Sequence, residues 1–299
     1  YPVGGIVYAA KNIQSADQLK QMIDNTKLYT SYPLFIAIDG EGSGTDAVAA
    51  AGLGTKTDSP ETIGASGDAN NAYTAGTTVG SYLAELGFNL DFAPAADLKV
   101  VDGNAAGSSS YGSEADKVAS FVGYMQAGLQ EQKVTACIGQ FPGIGSSTQS
   151  TKDGMASTDR STEDFRANEF AAFQTCIDNG MTKMIRISNM AAPSLTGDNT
   201  PCTFSSAVVT DILRNELNFR GVIVSGVMNE AAISNYYGAD EAAVLALRAG
   251  CDMIYAPENF ETAYNGVLEA VQNGTISEER VNDSLRRIYR IKYADKLEQ

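Results

Sequence analysis

The chain has 299 residues, 43% of them hydrophobic, and carries 21 Lys and Arg against 36 Asp and Glu with no histidine. The apolar fraction supports one sizeable core, and the net charge of −15 opposes a phosphate backbone or an anionic membrane surface, which excludes nucleic acid as a partner. Without histidine, serine–histidine hydrolysis and histidine-based zinc chemistry are closed to this chain.

Seven β-rich runs follow one another, with helical segments between them. They are Gly5–Ala9, Leu34–Ile38, Leu90–Ala93, Ala136–Ile138, Met184–Ile187, Val222–Val224 and Met253–Tyr255. Strands alternating with helices argue for an α/β fold with a parallel sheet, here a TIM-type (β/α) barrel forming a single domain over residues 1–299. Ser15 with Gln18 opens a helix that contains Leu19, Met22 and Ile23, and Thr275 with Glu278 opens the last, whose apolar face is Val281, Leu285, Ile288 and Ile291. Gly180 and Gly250 stand where helix exits need a left-handed residue. The Gly/Ser/Ala-rich stretches Asp102–Ser110 and Gly143–Thr151 follow strands and are expected as loops at one end of the sheet, the end where such barrels build their sites.

Cys137, Cys176, Cys202 and Cys251 lie far apart without C-x-x-C spacing, so buried thiols are expected ahead of a disulfide or a metal site. No run approaches the roughly 20 apolar residues of a membrane span. Tyr1 opens directly on folded-looking sequence, as in a mature or trimmed form, and the acidic balance fits a secreted or cell-surface bacterial protein. No cofactor is implied, because neither a metal cluster nor a phosphate-binding glycine motif is present.

Five motifs occur in an order that resembles family-three glycoside hydrolases, and bacterial β-N-acetylglucosaminidases in particular. They are Val3-Gly4-Gly5-Ile6-Val7, Asp39-Gly40-Glu41-Gly42, Asp91-Phe92-Ala93-Pro94-Ala95-Ala96-Asp97, Phe141-Pro142-Gly143 and the run from Leu213 to Ile223. The resemblance extends from about Val3 to the C-terminus and implies metal-free carboxylate chemistry on an amino-sugar glycoside. Family members carry another strand before the segment resembling Gly4–Ala10, so the expectation is either an incomplete barrel without the family's first strand or a chain from which an upstream segment has been removed.

The resemblance also implies catalytic residues that this chain does not have. The family's nucleophilic Asp, at the end of the strand matching Val222–Val227, falls on Gly226, which has no side chain with which to form a glycosyl-enzyme. Its Asp-x-His acid/base pair falls on Ser150 and Lys152. The K-H-F-P-G-H-G motif reads Gly139-Gln140-Phe141-Pro142-Gly143-Ile144-Gly145, an Arg becomes Ser109, and the His after the sixth strand of the complete barrel becomes Asn189.

Candidate ligand-binding residues are Asp39, Glu41, Asp97, Gln140, Asn189 and Glu230. Carboxylates at strand ends hydrogen-bond a polyol directly, or they cap neighbouring backbone amides. Glu230 either joins Asp39 as a replacement acid/nucleophile pair or opens the following helix, where the dipole favours a negative charge. Arg186, inside an otherwise apolar strand, either fills the barrel and pairs with an acid or points outward between helices. Tyr236 and Tyr237 stack on a sugar or pack a loop. The leading expectation is a catalytically inactive barrel, with residual carbohydrate binding or a structural role. The alternatives are an active hydrolase with a rebuilt carboxylate site and an assembly module.

Overall fold

The computed structural model describes residues 1–40 and 46–294. Seven strands form one curled sheet: β1 (Gly5–Tyr8), β2 (Phe35–Ile38), β3 (Leu90–Asp91), β4 (Thr135–Phe141), β5 (Met184–Ile187), β6 (Val222–Val227) and β7 (Met253–Tyr255). Their order in the sheet is their order in the chain, and every adjacent pair is parallel, from Gly5 opposite Phe35 in the first pair to Val224 opposite Met253 in the last. All seven coincide with apolar runs in the sequence, as expected of parallel strands covered on both faces.

Alternation along the strands separates two cores. Phe35, Ala37, Leu90, Phe92, Cys137, Met184, Val222 and Val224 cluster on the inner face of the curl. Ile36, Ile38, Ile138, Ile185, Ile187 and Ile223 point the other way into the layer shared with the helices. Those helices are α1 (Ala16–Leu28), α2 (Asn70–Leu86), α3 (Ala115–Glu131), α4 (Glu169–Asp178), a segment of wider π-type winding (Ala207–Glu216), α5 (Ala239–Ala249), α6 (Phe260–Gln272) and α7 (Glu278–Lys292).

The tightest crossing, α2 on α3, depends on two glycines. A Cβ at Gly76 would stand 2.5 Å from the Met125 carbonyl oxygen, and one at Gly128 would stand 2.5 Å from that of Tyr73. Only glycine lets the two backbones approach this closely.

Ser15 caps α1 by accepting from the Gln18 amide, as expected. The cap of α7 is Ser277, accepting from the Arg280 amide, and not Thr275. The Thr275 amide instead donates to Asn273 Oδ1, in the turn left by α6. Gly180 has φ 74° and Gly250 φ 125°, so both helix exits need glycine.

β1 and β7 are the two ends of the strand order and are not paired with each other. Along this seam runs an apolar cavity of ≈ 880 Å³, lined in part by Val3, Ile6, Met253, Ile254, Val267 and Leu285. Over the described residues the sheet is therefore an open barrel. No described helix is long and apolar enough to cross a membrane.

Candidate active site

The C-terminal ends of the strands, where barrels of this kind build their sites, bring most of the candidate residues together. Arg186 of β5 turns inward. Its Nη1 donates to Asp39 Oδ2 at 2.8 Å, and the Tyr255 hydroxyl at the end of β7 donates to the same oxygen at 2.9 Å. The guanidinium lies 5.6 Å from the ring centre of Phe92 and 5.9 Å from that of Tyr255, and the two rings are themselves stacked at 4.5 Å. Arg186 is 3% exposed, and a carboxylate and two ring faces help to replace the water its charge has lost. Of its two sequence readings, filling the barrel is the one observed.

Gly226 lies buried in β6, its amide donating to Thr203 Oγ1 at 3.0 Å. The space that a side chain there would use is already filled. A Cβ on Gly226 would meet Asn189 Oδ1 at 1.9 Å and Asn189 Cγ at 2.5 Å. Asn189 is held there by donating to the Val227 carbonyl at 2.8 Å and to Glu230 Oε2 at 3.1 Å, while its Oδ1 is buried without a hydrogen-bond partner. Glu230 stands at the start of the helix Ala231–Ser234, yet its side chain does not cap that helix and turns to Asn189 instead. The replacement pair is thus divided between two hydrogen-bonded groups, Glu230 with Asn189 and Asp39 with Arg186 and Tyr255.

Asp97 accepts from the amides of Gln140 at 3.2 Å and Ile144 at 2.8 Å, the backbone-capping use foreseen for it. Gln140, Asp97, Arg186, Phe92, Gly139 and Ser109 help to line a cleft of ≈ 40 Å³, and Asp39 is not among its lining residues. Glu41 lies outside the described residues.

The two glycine-rich loops meet over this end of the barrel. Ala105 donates to the Ser147 carbonyl, and Val100 and Val101 both donate to that of Gly145. The loop carrying Ser150 and Lys152 is tied to the helix after β6 by a hydrogen bond from the Ala232 amide to the Thr151 carbonyl, while Ser150 Oγ accepts from the Lys152 amide and Lys152 is exposed. Tyr236 is 60% exposed, and Tyr237 packs edge-on against Phe204.

Two buried acids escape a reading of the sequence. Asp91 accepts from the Gly40 amide at 3.0 Å, and burial, followed by the neighbouring carboxylates Asp46 and Asp39, raises its carboxyl well above the usual range. Glu169, first residue of α4, is 2% exposed and meets Arg160 Nε at 2.6 Å, out of line for a hydrogen bond. Burial raises it to about 7 against the opposing pull of Arg160. Only Asp91, which stands in the quoted Asp-Phe-Ala-Pro motif, carried a signal that could have found it. Tyr255 carried a weaker one as the polar end of an apolar strand.

The four cysteines are buried and unpaired, and no group of three or more Cys, Asp or Glu among the described residues could hold a metal ion.

The glycosyl hydrolase family 3 N-terminal domain matches residues 1–291. A β-hexosaminidase of Nitrosomonas eutropha is 31% identical over 258 residues, which is 84% of this chain and 73% of that protein. β-Hexosaminidase A of Pseudoalteromonas piscicida is 25% identical over an alignment that covers 98% of this chain and 53% of its own length. Among solved structures, a family 3 β-N-acetylglucosaminidase from Paenibacillus sp. superposes with a TM-score of 0.94 at 31% identity, covering 99% of this chain and 57% of the other. The chain thus spans a little over half of that enzyme. Matched along nearly its whole length by the family's domain and by relatives with the same curled parallel sheet, the chain belongs to glycosyl hydrolase family 3 as an N-terminal barrel domain.

Proposed function

We propose that this domain is a non-hydrolytic member of its family, a barrel that keeps the frame and has filled its reaction centre with its own side chains. One observation carries the reading: at Gly226, the position to which the resemblance assigns the nucleophile, a Cβ would stand 1.9 Å from Asn189 Oδ1. Retaining hydrolysis needs a carboxylate under the sugar's reacting carbon and an acid above it. Gly226 supplies no carboxylate, the chain has no histidine, and the resemblance assigns the acid/base pair to Ser150 and Lys152, neither of which is a carboxylic acid.

The size of the mouth agrees. A cleft of ≈ 40 Å³ holds a few water molecules, against ~300–1,000 Å³ for ordinary small-molecule sites. The domain then acts by its surface and scaffold, and any contact with an amino-sugar glycoside is a vestige.

The test is hydrolysis of a panel of chromogenic aryl β-glycosides, led by the β-N-acetylglucosaminide, with concentrated purified protein. The expected rate is that of buffer. Turnover that follows the protein through purification and disappears in Glu230→Gln would replace this reading with a rebuilt site around Glu230, the carboxylate bonded to the Asn189 amide.

A further inference from the structure

A buried basic group, Arg186, stands on the strand next to the one where the resemblance places the family's lysine. Where the resemblance puts a sugar-holding lysine, this chain has Gly139 on β4, and Arg186 on the neighbouring strand β5 packs beside it at van der Waals distance. A Cβ on Gly139 would meet Arg186 Cβ at 3.4 Å and Arg186 Nε at 3.6 Å. A side chain rooted on β4 reaches into the mouth from one side, whereas Arg186 crosses the barrel to Asp39 at the end of β2. It thereby lies between Asp39 and the cleft, whose lining includes Arg186 and not Asp39.

We propose that Arg186 is a plug: it closes this mouth to neutral sugars by engaging Asp39 and forming part of the cleft wall beside Gly139, and its removal opens a polyol site. The proposal rests on the mouth being a vestigial sugar site, and it adds the residue that keeps the site shut.

Three features support it. First, the guanidinium is nearly sealed from water and held on three sides, by Asp39, Phe92 and Tyr255, so it is built into the floor and is not poised at a surface to meet a ligand. Second, Asp39 Oδ1 is buried with no hydrogen-bond partner, an arrangement that costs free energy and that a ligand hydroxyl would relieve. Third, the groups left once the guanidinium is gone are those that recognise a sugar. Phe92 and Tyr255 offer ring faces to its apolar side, and Asp39, Gln140 and Ser109 offer acceptors and donors to its hydroxyls. Asp39 and Asp97 would then stand with no cation from Arg186 between them, which selects a neutral hexopyranoside over a uronate.

The experiment is an NMR titration with methyl β-N-acetylglucosaminide and, in parallel, with methyl β-glucuronide. The proteins are the wild type, Arg186→Met, Arg186→Gln, Arg186→Lys and the double variant Arg186→Met/Asp39→Asn, each checked for folding by circular dichroism. The expected result is at least about tenfold tighter binding of the neutral sugar by Arg186→Met or Arg186→Gln than by the wild type. No gain is expected in Arg186→Lys, a loss of the gain in the double variant, and no response to the glucuronide. Wild type binding as well as the opened variants, folded variants with no gain, or a gain for the glucuronide would each overturn the proposal. Failure of both Met and Gln variants to fold would overturn it as well, by making Arg186 a structural ion pair. The readout is binding alone, so hydrolysis by the wild type would defeat the proposed function without deciding the plug.

Discussion

At the scale of single residues, the bare backbone of Gly226 and the placement of Asn189 are one feature of the packing, because the carboxamide lies where a side chain at 226 would stand. Gly226→Asp is expected to lower unfolding stability by about 1–3 kcal/mol, the range for forcing atoms into a filled core, and to leave aryl-glycoside hydrolysis at background. Urea denaturation and the chromogenic assay read the two effects. Combining it with Asn189→Ala should recover part of the stability, because the smaller side chain clears the 1.9 Å conflict. The sequence shows directly that positions 226 and 150 carry a glycine and a serine, which lack a carboxylate. What packs against Gly226 and Gly139 was not legible there. Asn189 is 37 residues before Gly226 and Arg186 is 47 after Gly139, and only the parallel register of neighbouring strands brings each pair together.

At the scale of elements, the strands were readable because parallel strands between two apolar layers need long-lasting runs of Ile, Val, Leu and Phe. Helix ends were less so, as Ser277 shows in place of Thr275: capping depends on which hydroxyl the chain aims at the first turn, and two candidates stood two residues apart. An unforeseen joint lies just before β7. Asp252 accepts from Arg214 at 2.8 Å, Arg287 at 2.9 Å, Ser284 at 2.7 Å and the Ile223 amide at 2.9 Å, tying β6, β7, the Ala207–Glu216 segment and α7 at one buried carboxylate. Burial draws Arg214 down to about 10 even with this partner beside it. Asp252→Ala removes the shared partner and leaves charge buried, so it should cost about 3–5 kcal/mol in chemical denaturation. Replacing exposed Asp283, whose partner Arg286 is also exposed, should cost far less.

At the scale of the molecule, a chain without histidine leaves its behaviour near neutral pH to unusual groups, and Glu169 is one of them. Its carboxyl, raised by burial from 4.5 to about 7, keeps in the native state a proton that the unfolded chain releases. Between those values stability from this group falls as pH rises, by on the order of 3 kcal/mol in total, and is constant on either side. Urea unfolding at pH 5 and pH 7.5 should show that fall in the wild type, and the difference between the two pH values should shrink in Glu169→Gln. The open seam has a consequence of another kind. Closing a barrel requires the first strand to find the last, the most distant strand pairing a chain can make, whereas every pairing among the seven described strands joins strands that are successive along the chain. Loop closure is then bounded by the length of one strand–helix unit, and such local pairing shortens the conformational search. The sheet can grow in the order in which the ribosome delivers it, each new strand finding its partner already laid down.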